Sequence, residues 1–444
     1  MTAMDGWTEH VIWWHVFPLG FTGAERAAGD AQPRLRRLEP WLDYLLELGC
    51  NGLALGPVFA SSTHGYDTID HFHVDPRLGT DDDLRWLFDT CRSRGIHVLL
   101  DGVFHHVGRD FPAFRDVLEH GLSSRWARWF HLDPAAGGPD GFGYRDFEGH
   151  RELVALNHAE PEVLDHIASV MTHWLDAGAS GWRLDAAYAI PLPALRSIAD
   201  AVRARHPDAW LVGEVIHGDY ASFVRDGGLD SVTQYELWKA VWSALNDRNL
   251  FELAWALERH DGFVGEFVPM TFVGNHDVTR IASRLDDPGL LGHALAVLFG
   301  VAGVPSVYYG DEQAFRGVKE ERAGGDDAVR PAFPATRAEL APDGWPVFRT
   351  HQELIGVRRR HAWLTGARTR VDHVANEQLA FTSRAGDDVA TVLLNIADSE
   401  HRFDGAGAPA VLARSVESSD PWLLPPKSWA VLAPDVDSGG SRLS

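Results

Sequence analysis

Three carboxylate residues follow short apolar runs in the sequence. Asp185 follows GWRL, Glu214 follows WLVG, and Asp277 ends the segment FVGNHD. If each run is a strand of one parallel barrel, the three carboxylates stand at the same end of it, where such barrels carry their catalytic groups. Glycoside cleavage needs a nucleophile, a general acid/base and a charge that stabilises an oxocarbenium-like transition state. The pattern therefore favours glycoside cleavage.

Further polar residues lie beside these carboxylates. Arg183 precedes Asp185 by two positions, and alternate residues of a strand share one face. A guanidinium beside a carboxylate lowers its pKa, so we expect Arg183 to keep Asp185 ionised, as a nucleophile must be. Asp101 and His106 end another apolar run in the segment DGVFHHVG.

Taken singly, these residues have structural interpretations. Asp101 and His106 are as often satisfied structural groups as ligands, Glu214 alone suits a strand-end salt bridge, and Asp277 alone suits an Asx turn. Their convergence on one barrel mouth is what favours catalysis.

Eight apolar runs alternate with helix-length amphipathic stretches, as in repeated βα units around a parallel sheet. The predicted strands span residues 12–17, 52–55, 97–103, 181–184, 210–213, 230–233, 268–272 and 304–308. Helices are predicted over 35–48 and 82–94, ended by Gly49 and Gly95. The fold class is therefore α/β, a (β/α)8 TIM barrel.

The predicted domains follow from where this repeat stops. The barrel comprises residues 1–103 and 156–365, and residues 104–155, too long for an ordinary βα loop, form a small inserted subdomain after the third strand. Alternating apolar stretches at 379–383, 389–395 and 429–432 predict a C-terminal antiparallel β-domain over 366–434. Residues 435–444 are polar and predict a flexible tail.

Composition excludes several classes of protein. The 444 residues, 45% hydrophobic, can bury a large core, and a net charge of -23 argues against a nucleic-acid partner. Cys50 and Cys91 are too few for a disulfide framework and are expected to be buried free thiols. The N-terminal segment has no basic leader, and His15 and Pro18 interrupt its apolar run, so we expect a cytoplasmic protein without a membrane partner.

Four of these segments, DGVFHHVG, GWRLDAA, WLVGEV and FVGNHD, resemble in order the signature segments of glycoside hydrolase family 13, the α-amylase family. YDTIDHFHVDPRLGT, LNHAEPEV and GVPSVYYGDE extend the resemblance over nearly the whole chain. The segment FPAFRDVLEHGLSSRWARWFHL is similar to the insertion of cyclomaltodextrinases, neopullulanases and maltogenic amylases, which favour short or cyclic maltodextrins. Those relatives usually carry an N-terminal β-domain that helps to form their dimer, whereas a strand is predicted here from residue 12, so the oligomeric state stays open.

The resemblance implies a role for each matching residue. It makes Asp185 the nucleophile, Glu214 the acid/base and Asp277 the transition-state stabiliser, and it implies that Tyr66 stacks on the sugar. It gives binding or supporting roles to Asp67, Asp101, His106, Arg183, His217 and His276.

Two departures from the family pattern concern calcium and the substrate. His105 stands where many α-amylases have an Asn that binds calcium, and calcium prefers oxygen ligands, so no metal or other cofactor is expected to be required. Asp326 and Asp327 favour a solvated turn over a separate calcium loop. Ile216 precedes His217 where the family often has Trp, which leaves the substrate preference open.

The expected activity is retaining hydrolysis of short α-glucans, such as maltooligosaccharides or cyclodextrins. A transglycosylase or glucoside isomerase is an alternative, because the same covalent glycosyl-enzyme can pass its sugar to another hydroxyl instead of water. A catalytically inactive barrel that binds carbohydrate or a partner protein is disfavoured, since all three carboxylates are present. The bond type and endo or exo action stay open.

Overall fold

Eight parallel strands form the central sheet of the computed structural model, which describes residues 6–24, 32–137, 140–322, 324–405 and 407–434. The strands are β1 Trp13–Val16, β2 Gly52–Leu55, β3 His97–Gly102, β4 Gly181–Leu184, β5 Trp210–Gly213, β6 Ser231–Val232, β7 Met270–Phe272 and β8 Val304–Tyr308. Each lies within the residues predicted for it. The order is β6-β5-β4-β3-β2-β1-β8-β7, and a single parallel bridge between Thr233 and Met270 brings β6 against β7. The predicted (β/α)8 barrel is confirmed.

Helices follow the strands and cover the outside of the barrel. The helix predicted over 35–48 begins as a 3-10 turn, Arg34–Leu38, and continues as Glu39–Leu48, with Gly49 left-handed at φ 98° after it. The α-helices are Pro18–Phe21, Glu39–Leu48, Asp81–Ser93, Pro112–His120, Pro161–Ala177, Leu192–Arg203, Tyr220–Arg225, Tyr235–Asn246, Leu250–Val264, Ile281–Arg284, Leu291–Gly300 and Trp345–Arg360.

The segment between β3 and β4 forms its own small sheet. His106–Gly108, His150–Ala155 and Asp146–Phe147 pair in that order, antiparallel, and the helix Pro112–His120 lies beside them. The ring of Phe114 contacts the rings of Phe130 and Tyr144, each at 5.0 Å between centroids. The insertion therefore has an apolar core of its own, and it holds His106 close to the end of β3.

The C-terminal part is a five-stranded antiparallel sheet in the order β9-β10-β11-β13-β12. Its strands are β9 Arg368–Val374, β10 Gln378–Ala385, β11 Asp388–Asn395, β12 Ala410–Arg414 and β13 Ser428–Ala433. The edge strands β9 and β12 were not among the predicted strands. Exposed polar residues dominate β9, and β12, AVLAR, lacks the alternation of apolar and polar side chains that marks a half-buried strand. Short strand pairs elsewhere join Phe59–Ser61 to Thr68–Val74, Leu132–Asp133 to Gly143–Tyr144, and His401–Arg402 to Leu423–Leu424.

Other expectations concern the thiols, the tail and the membrane. Cys50 and Cys91 are free and buried, as predicted. The predicted tail over 435–444 lies outside the described residues. Within the described ranges, no helix combines the length and apolar character needed to cross a bilayer.

Candidate active site

The Arg183 guanidinium stands at the centre of the barrel mouth. Arg183 on β4 is directly opposite Asp101 on β3, and its Nη1 donates to both oxygens of that carboxylate at 2.6 and 2.7 Å. Its Nη2 lies 2.7 Å from Oε1 of Glu214, and its Nη1 lies 3.5 Å from Oδ1 of Asp185. One buried cation therefore joins three carboxylates that come from three neighbouring strands.

Backbone geometry fixes two of these carboxylates at the strand ends. Asp185 and Glu214 continue the barrel ladder by donating their backbone N–H groups to Gly102 O at 3.0 Å and Leu184 O at 2.9 Å. The next residue, Ala186, is left-handed at φ 46°, an unfavourable conformation for a residue with a Cβ. Its N–H donates to Oε2 of Glu214 at 3.1 Å, so the strained turn after Asp185 also holds Glu214.

A side chain from beyond β6 completes the environment of Glu214. The Tyr235 hydroxyl donates to Oε1 of Glu214 at 3.0 Å and accepts from Nδ2 of Asn275 at 2.9 Å. Neither residue was predicted from the sequence, because the predicted site consists of residues that directly follow apolar strands. Their positions carry a signal, since Tyr235 closely follows β6 and Asn275 directly precedes His276 in FVGNHD.

Asp277 lies after β7 between two basic side chains. Its Oδ1 accepts from Nη2 of Arg330 at 2.7 Å, and its Oδ2 is 2.9 Å from Nε2 of His276. Burial raises the pKa of Asp277, but the charge and hydrogen bond of His276 and the charge of Arg330 outweigh it and hold the pKa well below the ordinary carboxyl value. The segment GGDDAVR, predicted as a solvated turn, supplies Arg330, which also pairs with Asp326 at 3.1 Å.

Tyr66 links the two halves of the site. Its hydroxyl donates to Oδ2 of Asp101 at 3.1 Å and also hydrogen-bonds Nε2 of His276. The Tyr66 ring lies parallel to the His276 ring, with 5.3 Å between centroids, and roughly parallel to the ring of Phe17 at 6.5 Å. The hydroxyl is therefore committed to protein partners, and what remains for a sugar is one edge or face of a ring that is 8% exposed.

Three of the predicted site residues lie outside this cluster. Nε2 of His106 is 3.1 Å from the backbone oxygen of Tyr66, and the carboxylate of Asp67 accepts from Oγ1 of Thr63 at 2.6 Å, so both support the loop that carries Tyr66. His217 is exposed, and its ring lies 5.7 Å from that of Tyr188 at the rim of the mouth.

The expected effect of Arg183 on Asp185 is reversed in the folded site. Burial raises the pKa of Asp185, the neighbouring charge of Glu214 raises it further, and Arg183 only partly opposes them, so the pKa lies well above the ordinary carboxyl value. The prediction of a lowered pKa was wrong because Arg183 is shared with Asp101 and Glu214. Three carboxylates thus share one guanidinium, and a retaining glycosidase needs one protonated and one ionised carboxyl group.

The surroundings of His105 do not suit calcium. Its ring packs on Phe147 at 5.2 Å and near His158 at 6.0 Å, and burial together with the charge of His158 lowers its pKa to about 4. A neutral imidazole among rings offers none of the oxygen ligands that calcium prefers. Within the residues that the structure describes, no three His, Cys, Asp or Glu side chains are grouped so as to hold a metal ion.

Comparison with known proteins agrees with this geometry. Residues 16–369 match the family described as "Alpha amylase, catalytic domain". The chain is 30% identical to a cyclomaltodextrinase from Bacillus sp. and 33% identical to one from Geobacillus thermopakistaniensis, with 88% of this chain covered in each case and 73% and 69% of those proteins.

A solved structure extends the similarity to the fold of the whole chain. The cyclic α-maltosyl-(1→6)-maltose hydrolase from Arthrobacter globiformis is 25% identical, with a TM-score of 0.81, and the match covers 97% of this chain and all of that one. The family match spans most of the chain and contains Asp101, Arg183, Asp185, Glu214 and Asp277. The chain therefore belongs to the α-amylase family of glycoside hydrolases.

Proposed function

We propose that Asp185 is the nucleophile, Glu214 the general acid/base and Asp277 the transition-state stabiliser of a retaining α-glucoside hydrolase. The observation that carries this proposal is the sharing of Arg183 by Asp101, Asp185 and Glu214. Through Tyr66 and His276 the same hydrogen-bonded network reaches Asp277.

In the first step, Glu214 donates its proton to the glycosidic oxygen while an Asp185 oxygen bonds to the anomeric carbon and the carbon–oxygen bond to the leaving sugar breaks. In the second, Glu214 takes a proton from water, the water oxygen bonds to the anomeric carbon, and the ester to Asp185 breaks. Asp277 is the carboxylate with the lowered pKa, so it stays ionised and stabilises the positive charge that develops on the sugar.

We propose short linear and cyclic α-glucans as the substrates. Two relatives are named cyclomaltodextrinase, and the solved structure is named a hydrolase of a cyclic maltosyl-maltose. A cytoplasmic location suits such substrates, and two free, buried thiols suit a reducing compartment. The remaining substrate-binding roles are proposed for Tyr66, Asp67, Asp101, His106, Arg183, His217 and His276.

The test is product analysis on maltose, maltotriose, a cyclodextrin, pullulan, trehalose, sucrose and isomaltose. We expect new reducing ends from maltotriose and the cyclodextrin, and proton NMR at early times should show the α-anomer, as a retaining mechanism requires. Early β-anomer would contradict the assignment of Asp185 as nucleophile. Longer saccharides or isomerised disaccharides in place of hydrolysis products would instead identify a transglycosylase or isomerase with the same carboxylates.

A further inference from the structure

A second cavity lies at the end of the barrel opposite the carboxylates. Val11 and Ile12, which directly precede β1, line it together with Arg358 and Arg359 from the end of the helix Trp345–Arg360. The cavity is open to solvent, and its empty space, solvent opening included, is about 440 Å³. His15, at the other end of β1, lies beside His276 in the active site. The cavity is therefore separated from the active site by the length of the barrel.

The two arginines are held by neutral groups. Arg358 is 4% exposed, and its guanidinium donates to the backbone oxygens of Val301 and Gly303. Arg359 donates to Gly49 O at 2.9 Å and to Oδ1 of Asn51 at 2.7 Å. Within the described part of the chain, neither guanidinium forms an ion pair with a carboxylate.

Arg358 is buried, so its positive charge is costly without a counter-charge, because carbonyl oxygens satisfy its N–H groups without neutralising the charge. Arg359, the next residue, is exposed to solvent at the edge of the cavity. Burial and, to a lesser extent, the charge of Arg359 together lower the pKa of Arg358 to about 9. Each guanidinium has five N–H groups, and hydrogen bonds to the described residues occupy three on Arg358 and four on Arg359. Both arginines therefore keep a donor for a ligand.

We propose that this cavity binds a small oxyanion, namely phosphate, either free or carried by a sugar, through Arg358 and Arg359. The planar guanidinium matches the spacing of phosphate oxygens and binds them with charge-assisted hydrogen bonds. The exposed Glu9 also lines the cavity, and its carboxylate opposes anion binding. The site is independent of the proposed hydrolysis, so an inactive enzyme would still bind the anion.

The experiment titrates the full-length protein with inorganic phosphate and, separately, with glucose 6-phosphate, at ionic strength held constant with chloride. Calorimetry should show saturable binding, and the melting temperature should rise with ligand concentration, because the ligand binds only the folded state. Binding of phosphate alone identifies the free anion, and binding of glucose 6-phosphate alone identifies a sugar phosphate.

Substitutions at Arg359 and Glu9 test the position of the anion. Arg359→Gln should weaken binding roughly tenfold or more, whereas the control Arg360→Gln, an equal charge change on the same helix outside the cavity, should not. Glu9→Gln should tighten binding. If Arg359→Gln fails to fold, Arg359→Lys keeps the charge but loses the planar fork and should also bind more weakly.

The proposal is overturned if the wild-type protein shows no saturable binding of either ligand. It is also overturned if Arg359→Gln and Arg360→Gln lose affinity to the same extent, since equal losses would mean that any positive charge on this helix attracts the anion. A weaker binding by Glu9→Gln overturns it as well.

Discussion

At the scale of single residues, the site depends on charges whose positions are fixed by neighbours. Asp185→Asn and Glu214→Gln should each lower kcat by roughly 1,000-fold or more, because the covalent route then lacks its nucleophile or its proton donor. Both substitutions keep the size of the side chain, so circular dichroism and the melting temperature should stay close to wild type. Glu258→Gln, an exposed change on the helix Leu250–Val264, is the matched control. Near-normal turnover by pure Asp185→Asn would contradict the assignment.

Tyr235 positions Glu214, since its hydroxyl donates a hydrogen bond to the Glu214 carboxylate and accepts one from Asn275. Tyr235→Phe should lower kcat roughly 10- to 100-fold with little change in KM, the loss expected for one hydrogen bond to a charged group. Tyr220→Phe removes a hydroxyl that donates to a backbone oxygen instead, and its kcat should stay close to wild type. Equal values of kcat for Tyr235→Phe and Tyr220→Phe would show that the Tyr235 hydroxyl does not position Glu214.

The surroundings of His105 predict how the enzyme responds to chelators. Its ring is packed among other rings and offers nitrogen where calcium prefers oxygen. Treatment with EDTA followed by gel filtration should therefore leave kcat/KM within about twofold of the untreated enzyme. Loss of activity that calcium restores, and magnesium does not, would place a calcium site elsewhere in the chain.

At the scale of elements, the turn after β8 buries a carboxyl group that titrates near neutrality. Glu312 is fully buried, accepts from Tyr44 and from the N–H of Gly310, and burial raises its pKa to about 7. The pKa of Glu312 is higher in the folded protein than in the unfolded chain. The stability that this difference contributes is therefore complete below the unfolded pKa and is lost as the pH rises through about 7.

Glu312→Gln removes this titration. Between pH 5 and pH 8 the wild-type protein should lose the contribution of Glu312, whereas the variant has none to lose. The free energy of unfolding of the variant minus that of the wild type should therefore increase over this range, by at most about 3 kcal/mol. Urea unfolding at a series of pH values measures the difference. A difference that is flat across this range would show that Glu312 has an ordinary pKa in the folded protein.

The elements also show what the sequence can predict. All eight barrel strands were predicted because each is a short apolar run, and the strand ends then located Asp185, Glu214 and Asp277. The exposed edge strand β9 has no such pattern. Arg330 could not be predicted because it approaches Asp277 from a loop 53 residues away in sequence. The pKa of Asp185 depends on the sum of several buried charges, which no local motif contains.

At the scale of the whole molecule, the inserted subdomain borders one side of the mouth. The ring of Phe147 lies 6.4 Å from that of Tyr188, and Oε1 of Glu148 accepts from the Tyr188 hydroxyl at 2.9 Å. The insertion therefore contacts the segment after β4, which leaves fewer places for a long glucan chain. We expect kcat/KM per glycosidic bond to be higher for maltotriose, maltoheptaose and a cyclodextrin than for soluble starch.

Glu148→Ala is the informative variant for this preference, because it releases the contact between the insertion and Tyr188 without altering the carboxylates. Glu148→Ala should reduce the difference in kcat/KM per glycosidic bond between starch and maltoheptaose. Glu119→Ala, an exposed change on the helix Pro112–His120 of the insertion, should leave that difference unchanged. A wild-type enzyme that favours starch by a wide margin would require an open groove instead.

The closure of the barrel has a consequence for how the enzyme moves. Strand β6 has only two residues, and one bridge, Thr233 to Met270, joins it to β7, whereas the other neighbouring strands share longer ladders. Just beyond this seam, the side chains of Tyr235 and Asn275 bond across it and then to Glu214. Because Tyr235 and Asn275 lie on the two sides of this seam, a displacement of β6 relative to β7 would move the groups that hold Glu214.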